Sequence, residues 1–422
     1  VTIFLGCGFA AKYPEGGGNY SVPLQWMLGL RRLGLDAIWL ELLPATPDTR
    51  EDESRIRIFQ RRLHEHGLKG SYCLLYQTPA SDAHDLETMR CIGLSRRELL
   101  DRLAGPNTLL NLSYSLHPPF LLQFERRIFC DLDPSEIFYW MTKMEMGQSH
   151  HHEFWTIGLN AGAADCRLPD AVVASFFVAA SLCEARESAP DALSNLPPPN
   201  RLRRAPARQA GRRLQWKTFF PLVDTELLRL QPPPRPPMKF TTIGQWYWGG
   251  GVEVEGQFPD LSKKFAFEPY LDLPRRIPSA TFELAMNLNS DDPEIARLRG
   301  RGWHVVSPHR VARTPASYRR YLANAAGEFT AIKGVDVVWR TGWLSDRAAA
   351  FLALGRPVIT EDTGAGKYLP AESGFRFVHD LASAETAVNE VITDWPRFSR
   401  CARDCAVELF DSAKNVRKIL GL

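Results

Sequence analysis

The stretch that most constrains this chain is residues 340–364, RTGWLSDRAAAFLALGRPVITEDTG. A turn at Gly342 to Ser345 is followed by an Ala-rich, helix-forming run from Asp346 to Leu354. Gly355 ends that helix. Pro357, Val358, Ile359 and Thr360 begin a strand, and a second polar turn, Glu361-Asp362-Thr363-Gly364, closes the unit. Turn, helix, strand and turn make half of an α/β nucleotide site. The first turn feeds a helix N-terminus, whose free N–H groups and dipole favour phosphate. The second lies past the carboxyl end of a strand, where open α/β sheets bind ligands.

The same residues resemble the donor-binding motif of the GT-B glycosyltransferases: a Gly-x-x-Ser/Thr turn, an Ala-rich helix, Gly-x-Pro-Val and an acidic turn. Gly327 to Lys333 ahead of the motif and residues 384–420 behind it are similar to the strand and terminal helices that flank it in that superfamily. The resemblance implies an α/β chain of two Rossmann-like domains, with parallel sheets facing across a cleft. It also implies a nucleotide-diphosphate sugar as co-substrate on the second domain, an acceptor on the first, and no bound metal or other cofactor. The donor residues are then Arg340, Gly342, Trp343, Ser345, Asp346, Arg347, Glu361, Asp362, Thr363 and Gly364. Two positions depart from the pattern. Arg340 stands where many relatives carry His, and Ala350 stands where many carry the Glu that holds the ribose. The ribose is left to Asp346, Glu361 or Asp362. Arg340 and Arg347 suit a diphosphate, because a guanidinium fork matches phosphate oxygens.

At 422 residues the chain exceeds the roughly 250–300 that one core holds, so two domains are expected. A net charge of +3 gives no case for a nucleic-acid partner. No apolar run approaches the ~20 residues of a membrane span, which leaves peripheral membrane association open. The first strand reads from Val1 to Leu5 with no basic segment ahead of it, so no signal peptide is expected. Eight cysteines are scattered with no Cys-x-x-Cys pair, which reads as reduced thiols in a cytoplasmic protein.

The chain opens with a strand, a loop through Gly16, Gly17, Gly18 and Asn19, a helix from Tyr20 to Leu33, and a strand from Ala37 to Glu41. Further strands are expected at 71–76, 108–112, 127–131 and 154–159, then at 238–246, 281–288, 303–306 and 335–339. Strands alternating with helical segments mean parallel sheets covered on both faces. Prolines and arginines crowd the middle, and about 186–214 reads as a flexible basic loop. Residues 1–230 are thus expected to form an acceptor-binding domain and 231–400 a nucleotide-sugar domain, joined by a Pro-rich hinge at 231–237. The terminal helix, 401–422, is expected to return to the first domain, as the family's does.

Three groups could carry chemistry on the first domain. Gly16 to Asn19 is either a bare backbone facing a ligand or a surface loop. Asp131 and Asp133 follow a strand end, where one could deprotonate an acceptor hydroxyl; a helix cap is the other reading, favoured for Asp133. Of the His150-His151-His152 run, His152 is the candidate base, against a structural role, and adjacent histidines do not suit one metal ion. Trp246 and Trp248 are either a platform for a ring or core. The function implied is glycosyl transfer. The alternative is a binding or regulatory protein that keeps the fold without turnover, for which Ala350 and the missing His speak.

Overall fold

The computed structural model describes residues 1–78, 80–82, 84–169, 214–249 and 251–422. The basic loop expected at about 186–214 lies outside the described residues, save for Leu214, and so does Gly250. Two sheets carry the fold. The first comprises β1 (Thr2–Cys7), β2 (Asp36–Pro44), β3 (Tyr72–Gln77), β4 (Arg90–Gly93), β5 (Asn107–Leu112), β6 (Arg126–Asp131), β7 (Glu153–Thr156) and β8 (Trp216–Thr218). Their spatial order is β4-β3-β2-β1-β5-β6-β7-β8, and only the β3–β4 pair is antiparallel. The second comprises β9 (Met238–Gln245), β10 (Ala280–Asn287), β11 (His304–Val306), β12 (Gly327–Thr330), β13 (Val358–Glu361) and β14 (Phe375–Val378). It is parallel throughout, in the order β11-β10-β9-β12-β13-β14.

Strand sequence explains the burial. β1 reads TIFLGC and is buried at every position, because a parallel sheet is covered on both faces. Alternate residues divide between two cores: Ile3, Leu5, Trp39 and Leu74 face one layer, and Phe4, Ile38, Leu40 and Leu75 face the other. Each sheet also reverses its winding once. The chain runs outward from β1 to β3 and then crosses back to β5; in the second sheet it runs from β9 to β11 and crosses back to β12. The switch points, between β1 and β5 and between β9 and β12, are where such sheets open a crevice at their carboxyl ends.

Five helices matter to the site: α1 (Gly17–Arg32), α2 (Pro134–Lys143), α3 (Pro315–Ala323), α4 (Asp346–Ala353) and α5 (Ser412–Leu420). α5 closes the chain against the first domain. Its Ser412 lies against Gly29 of α1, where a Cβ would stand 2.8 Å from the serine backbone, and its Val416, Ile419 and Leu420 join the first core. The hinge segment is tied down by Gln231 N–H to Leu354 O (3.1 Å) and Arg356 Nη2 to Pro232 O (2.7 Å).

Two sequence expectations fail locally. The strand expected at 335–339 is a short helix, Gly334–Val338. β12 already fills that place in the sheet, and Asp336 turns inward to accept from Thr341 Oγ1 at 3.0 Å. The strand expected at 154–159 stops at Thr156, whose hydroxyl accepts the Gly158 N–H at 2.9 Å and turns the chain.

Candidate functional site

A pocket opens at the switch point of the second sheet. Lys263, Thr330, Ala331, Ser345, Arg347 and Thr360 line it, with Trp343 at one side. α4 starts here because Ser345 caps it, accepting the Ala348 N–H at 3.0 Å. Its first turn thus presents N–H groups to the pocket. Lys263 Nζ donates to Thr330 Oγ1 (3.1 Å) and Ala331 O (2.8 Å), both neutral, and among the described residues it makes no ion pair. Burial, then the neighbouring Arg347 guanidinium, lowers its ammonium to about 7. Thr360 Oγ1 is buried without a partner. Arg347 itself is engaged: it pairs with Glu328, which is fully buried, and donates from Nη1 to Ile243 O at 2.9 Å.

Of the expected donor residues, Ser345, Arg347 and Trp343 line this pocket, and Asp346 opens α4 beside it, its carboxyl raised by burial to about 6. Glu361 is committed to Ile332 N–H (2.7 Å) and Tyr270 Oη (3.1 Å). The remaining turn residues lie along the seam between the domains. Gly342 N–H donates to Thr363 O (2.8 Å) and Thr363 Oγ1 to Trp343 O (2.8 Å), so the two turns hold each other. Gly342 has φ +76°, and a side chain there would collide with the Asn160 backbone. Gly364 is likewise left-handed, and its added Cβ would stand 3.0 Å from Asn160 Nδ2. Arg340 Nε bonds Asp165 at 3.0 Å, and Lys367 Nζ bonds the same carboxylate at 2.6 Å. Asp362 Oδ1 folds its own turn by accepting from Gly364 N–H (2.9 Å) and Gly366 N–H (3.2 Å). In this structure Arg340, Gly342 and Gly364 meet the first domain, while Asp362 and Thr363 hold the turns behind them.

The first-domain candidates need correction. His152 precedes β7, at the amino end of the sheet and away from the switch point, where its ring meets the Arg127 N–H (3.1 Å) and guanidinium (2.9 Å). It cannot act as a base in the cleft. Asp131 is at the carboxyl end of β6 but fully buried, accepting from Thr156 Oγ1 (2.5 Å) and Asp133 N–H (2.8 Å). Burial raises its carboxyl to about 8, and with no exposed surface and both oxygens engaged at the strand end it supports that end rather than meeting an acceptor hydroxyl. The glycine run is not open to a ligand at Gly17. That residue begins α1, its N–H donates to Ala312 O (3.0 Å), and an added Cβ would lie 2.5 Å from Ala312 O and Thr314 O. Gly18 faces the Tyr318 ring, and Asn19 lies within the first turn of α1. The missing side chains let the second domain's backbone approach.

Lys333 was missed by the sequence reading. Its Nζ reaches across the seam to Asp133 Oδ2 (2.6 Å) and Glu136 Oε1 (3.1 Å) of α2. Burial works against its charge, but the two carboxylates overcome it and hold the ammonium well above its usual range. Asp133 occupies the N-cap position yet spends its side chain on Lys333. Trp248 belongs to this junction too, with Nε1 to Glu136 Oε1 at 2.8 Å, whereas Trp246 is core. Lys263 was also missed: it follows β9 across an irregular loop with no motif around it.

No protein-family model and no curated protein matches the sequence. Solved structures do. The chain is similar to HepE of Anabaena in complex with UDP and glucose, at TM-score 0.50 and 10% identity, covering 100% of this chain and 98% of that one. It is similar to the N-terminal domain of Candida albicans trehalose-6-phosphate phosphatase, at TM-score 0.53 and 9% identity over 100% and 96%. A trehalose-6-phosphate protein of E. coli bound with UDP-2-fluoro glucose matches at TM-score 0.51 and 11% identity over 100% and 98%. The chain has the GT-B fold, two Rossmann-like domains with parallel sheets. No described helix is long and apolar enough to cross a membrane. Among the described residues no cluster of His, Cys, Asp or Glu is arranged for a metal ion.

Proposed function

We propose that this chain transfers a sugar from a nucleotide-diphosphate donor, held on the second domain, to an acceptor on the first. The observation that carries the reading is Lys263, a half-buried amine whose two hydrogen-bond partners are neutral oxygens, beside the N-terminus of α4 at a topological switch point. A diphosphate supplies the missing counter-charge. Its oxygens would take Lys263 and the first-turn N–H groups of α4 as donors, and Ser345 and Thr360 as hydroxyl partners. As the sugar departs, negative charge grows on the diphosphate, and these preset donors stabilise it. The reading includes no resident cofactor. UDP and its glucose conjugates are bound by the Anabaena and E. coli proteins of the same fold, which makes UDP the first nucleotide to try.

A cytoplasmic setting is part of this reading. All seven described cysteines are free thiols, as a reducing compartment leaves them. The alternative of a binding protein without turnover draws on Arg347, whose charge Glu328 already answers. Calorimetric titration with UDP and UMP separates these readings when paired with an assay for slow UDP-glucose hydrolysis. The transferase reading expects UDP to bind at least tenfold tighter than UMP, with hydrolysis above background. Binding without hydrolysis favours the alternative, and no preference for UDP contradicts the diphosphate site.

A further inference from the structure

Two segments at the carboxyl rim of the first sheet, 84–89 after β3 and 113–119 after β5, are joined by a pair of buried imidazoles. His84 and His117 stack with ring centres 4.3 Å apart and planes 11° from parallel, and Tyr114 stacks on the His117 ring at 4.1 Å. Only 8% of His84 and 5% of His117 is exposed. His117 N–H donates to His84 Nδ1 (3.3 Å), and Phe120 N–H donates to His84 O (3.1 Å). Leu86 and Met89 pack with Phe120 and Leu121 around this joint.

The hydrogen bonds fix the protonation. His84 Nδ1 accepts an N–H, so it carries no proton. His117 Nε2 lies 2.7 Å from Tyr114 O, which can only accept, so its proton is on Nε2 and Nδ1 is bare. That Nδ1 is buried without a partner. A proton on His84 Nδ1 would break the bond between the loops. A proton on His117 Nδ1 would bury a donor with no acceptor, and both together would set two cations face to face. The backbone adds to this: His84, Ser113 and Tyr114 have φ of 56°, 45° and 57°, a region that side-chain-bearing residues seldom choose. Contacts hold these turns in place.

We propose that His84 and His117 form a proton-sensitive clasp: neutral, they pin segment 84–89 to loop 113–119, and acidification releases both. Calling this rim the acceptor side rests on the function proposed above; the clasp does not. The groups around it are Tyr114, with Glu145 beyond it, His150 facing His117, and His151 edge-on to Tyr114 at 6.0 Å. Asp82, Asp85 and Glu87 lie on the loop itself. Burial first, then His117, holds His84 at about 3; burial, with His150 adding to it, holds His117 at about 4. An open loop would let both titrate near the ordinary value of about 6.5. Open loops therefore take up protons below about 6.5 that the closed clasp refuses. Closure weakens as pH falls, by about 25-fold per histidine between pH 7 and 5 and several hundredfold for the two together.

Hydrogen exchange of the wild-type chain at pH 7 and pH 5, corrected for intrinsic rates, tests this. Peptides covering 84–89 and 113–121 should lose protection several hundredfold, while the helix Leu381–Thr393 keeps its own. His84→Asn sharpens the test. Asn accepts the left-handed conformation, and its Oδ1 can receive the His117 N–H without titrating. The variant should stay closed at pH 7 and lose only about 25-fold at pH 5. Equal wild-type protection at both pH values overturns the clasp, as does loss spread evenly over the reference helix or an undiminished loss in His84→Asn. If that variant does not fold, the wild-type series alone decides. Failure of nucleotide binding would leave these results untouched.

Discussion

The two sheets are wound alike, yet their switch points differ in how their polar groups are answered. In the second sheet Lys263 hydrogen-bonds only neutral oxygens, and Thr360 Oγ1 has no partner. In the first, the buried Glu41 and Asn111 are answered within the domain. Glu41 accepts from Ala11 N–H (2.7 Å) and Trp39 Nε1 (2.9 Å), and Asn111 closes a ring with Leu116 through N–H (3.0 Å) and O (2.9 Å). Burial draws the Lys263 ammonium toward neutrality, and a ligand that brings negative charge to the site would restore it. A site already satisfied offers shape and hydroxyl contacts. The difference supports donor diphosphate on one side and a less charged acceptor on the other.

Three substitutions can break or sharpen that contrast. The largest effect is expected from Glu328→Ala, which leaves the Arg347 guanidinium buried beside Lys263 with no carboxylate. It should cost about 3–5 kcal/mol in urea unfolding; a cost under about 1 kcal/mol would mean the pocket tolerates two free cations. Lys333→Met comes next. It strands Asp133 and Glu136 at the seam and should cost about 1–3 kcal/mol, with looser domain contact visible as a larger radius in small-angle scattering. The smallest effect is expected from Asp131→Asn. The folded carboxyl keeps its proton to about 8 while the unfolded one ionises near 4, so wild-type stability falls as pH rises between them. Asn does not titrate. The variant should gain on the order of 1 kcal/mol relative to wild type between pH 6 and pH 7. A gain in the opposite direction would show Asp131 ionised in the folded state.

The fold was largely legible because its signals are local. β1, the α4 turn and Gly355 each carry their instruction in a few neighbouring residues, and Ser345 caps the expected helix. The site was legible only in part, because its charges come from distant segments. Arg347 reads as a phosphate ligand until Glu328, on another strand, is placed beside it. Arg340 and Gly342 read as ligand groups until Asp165 and Asn160 arrive from the first domain. His152 shows a second limit. Its residue type suited catalysis, but which end of a strand it occupies depended on where β7 begins. Lys263 carried no signal, since it opens a short helix, Lys263–Phe267, behind an irregular stretch in which nothing marks the residue that will face a crevice.

The account turns on Lys263, and its most direct test is calorimetric titration of UDP into the wild-type chain and the Lys263→Met variant at pH 6.5. Methionine fills similar space without the charge, so folding should be kept or slightly improved. A charge-assisted contact is worth on the order of 1.5–3 kcal/mol, so UDP should bind the variant about tenfold or more weakly, while UMP should lose less. Equal UDP affinity in the two proteins, both folded, would contradict the account and place the diphosphate elsewhere.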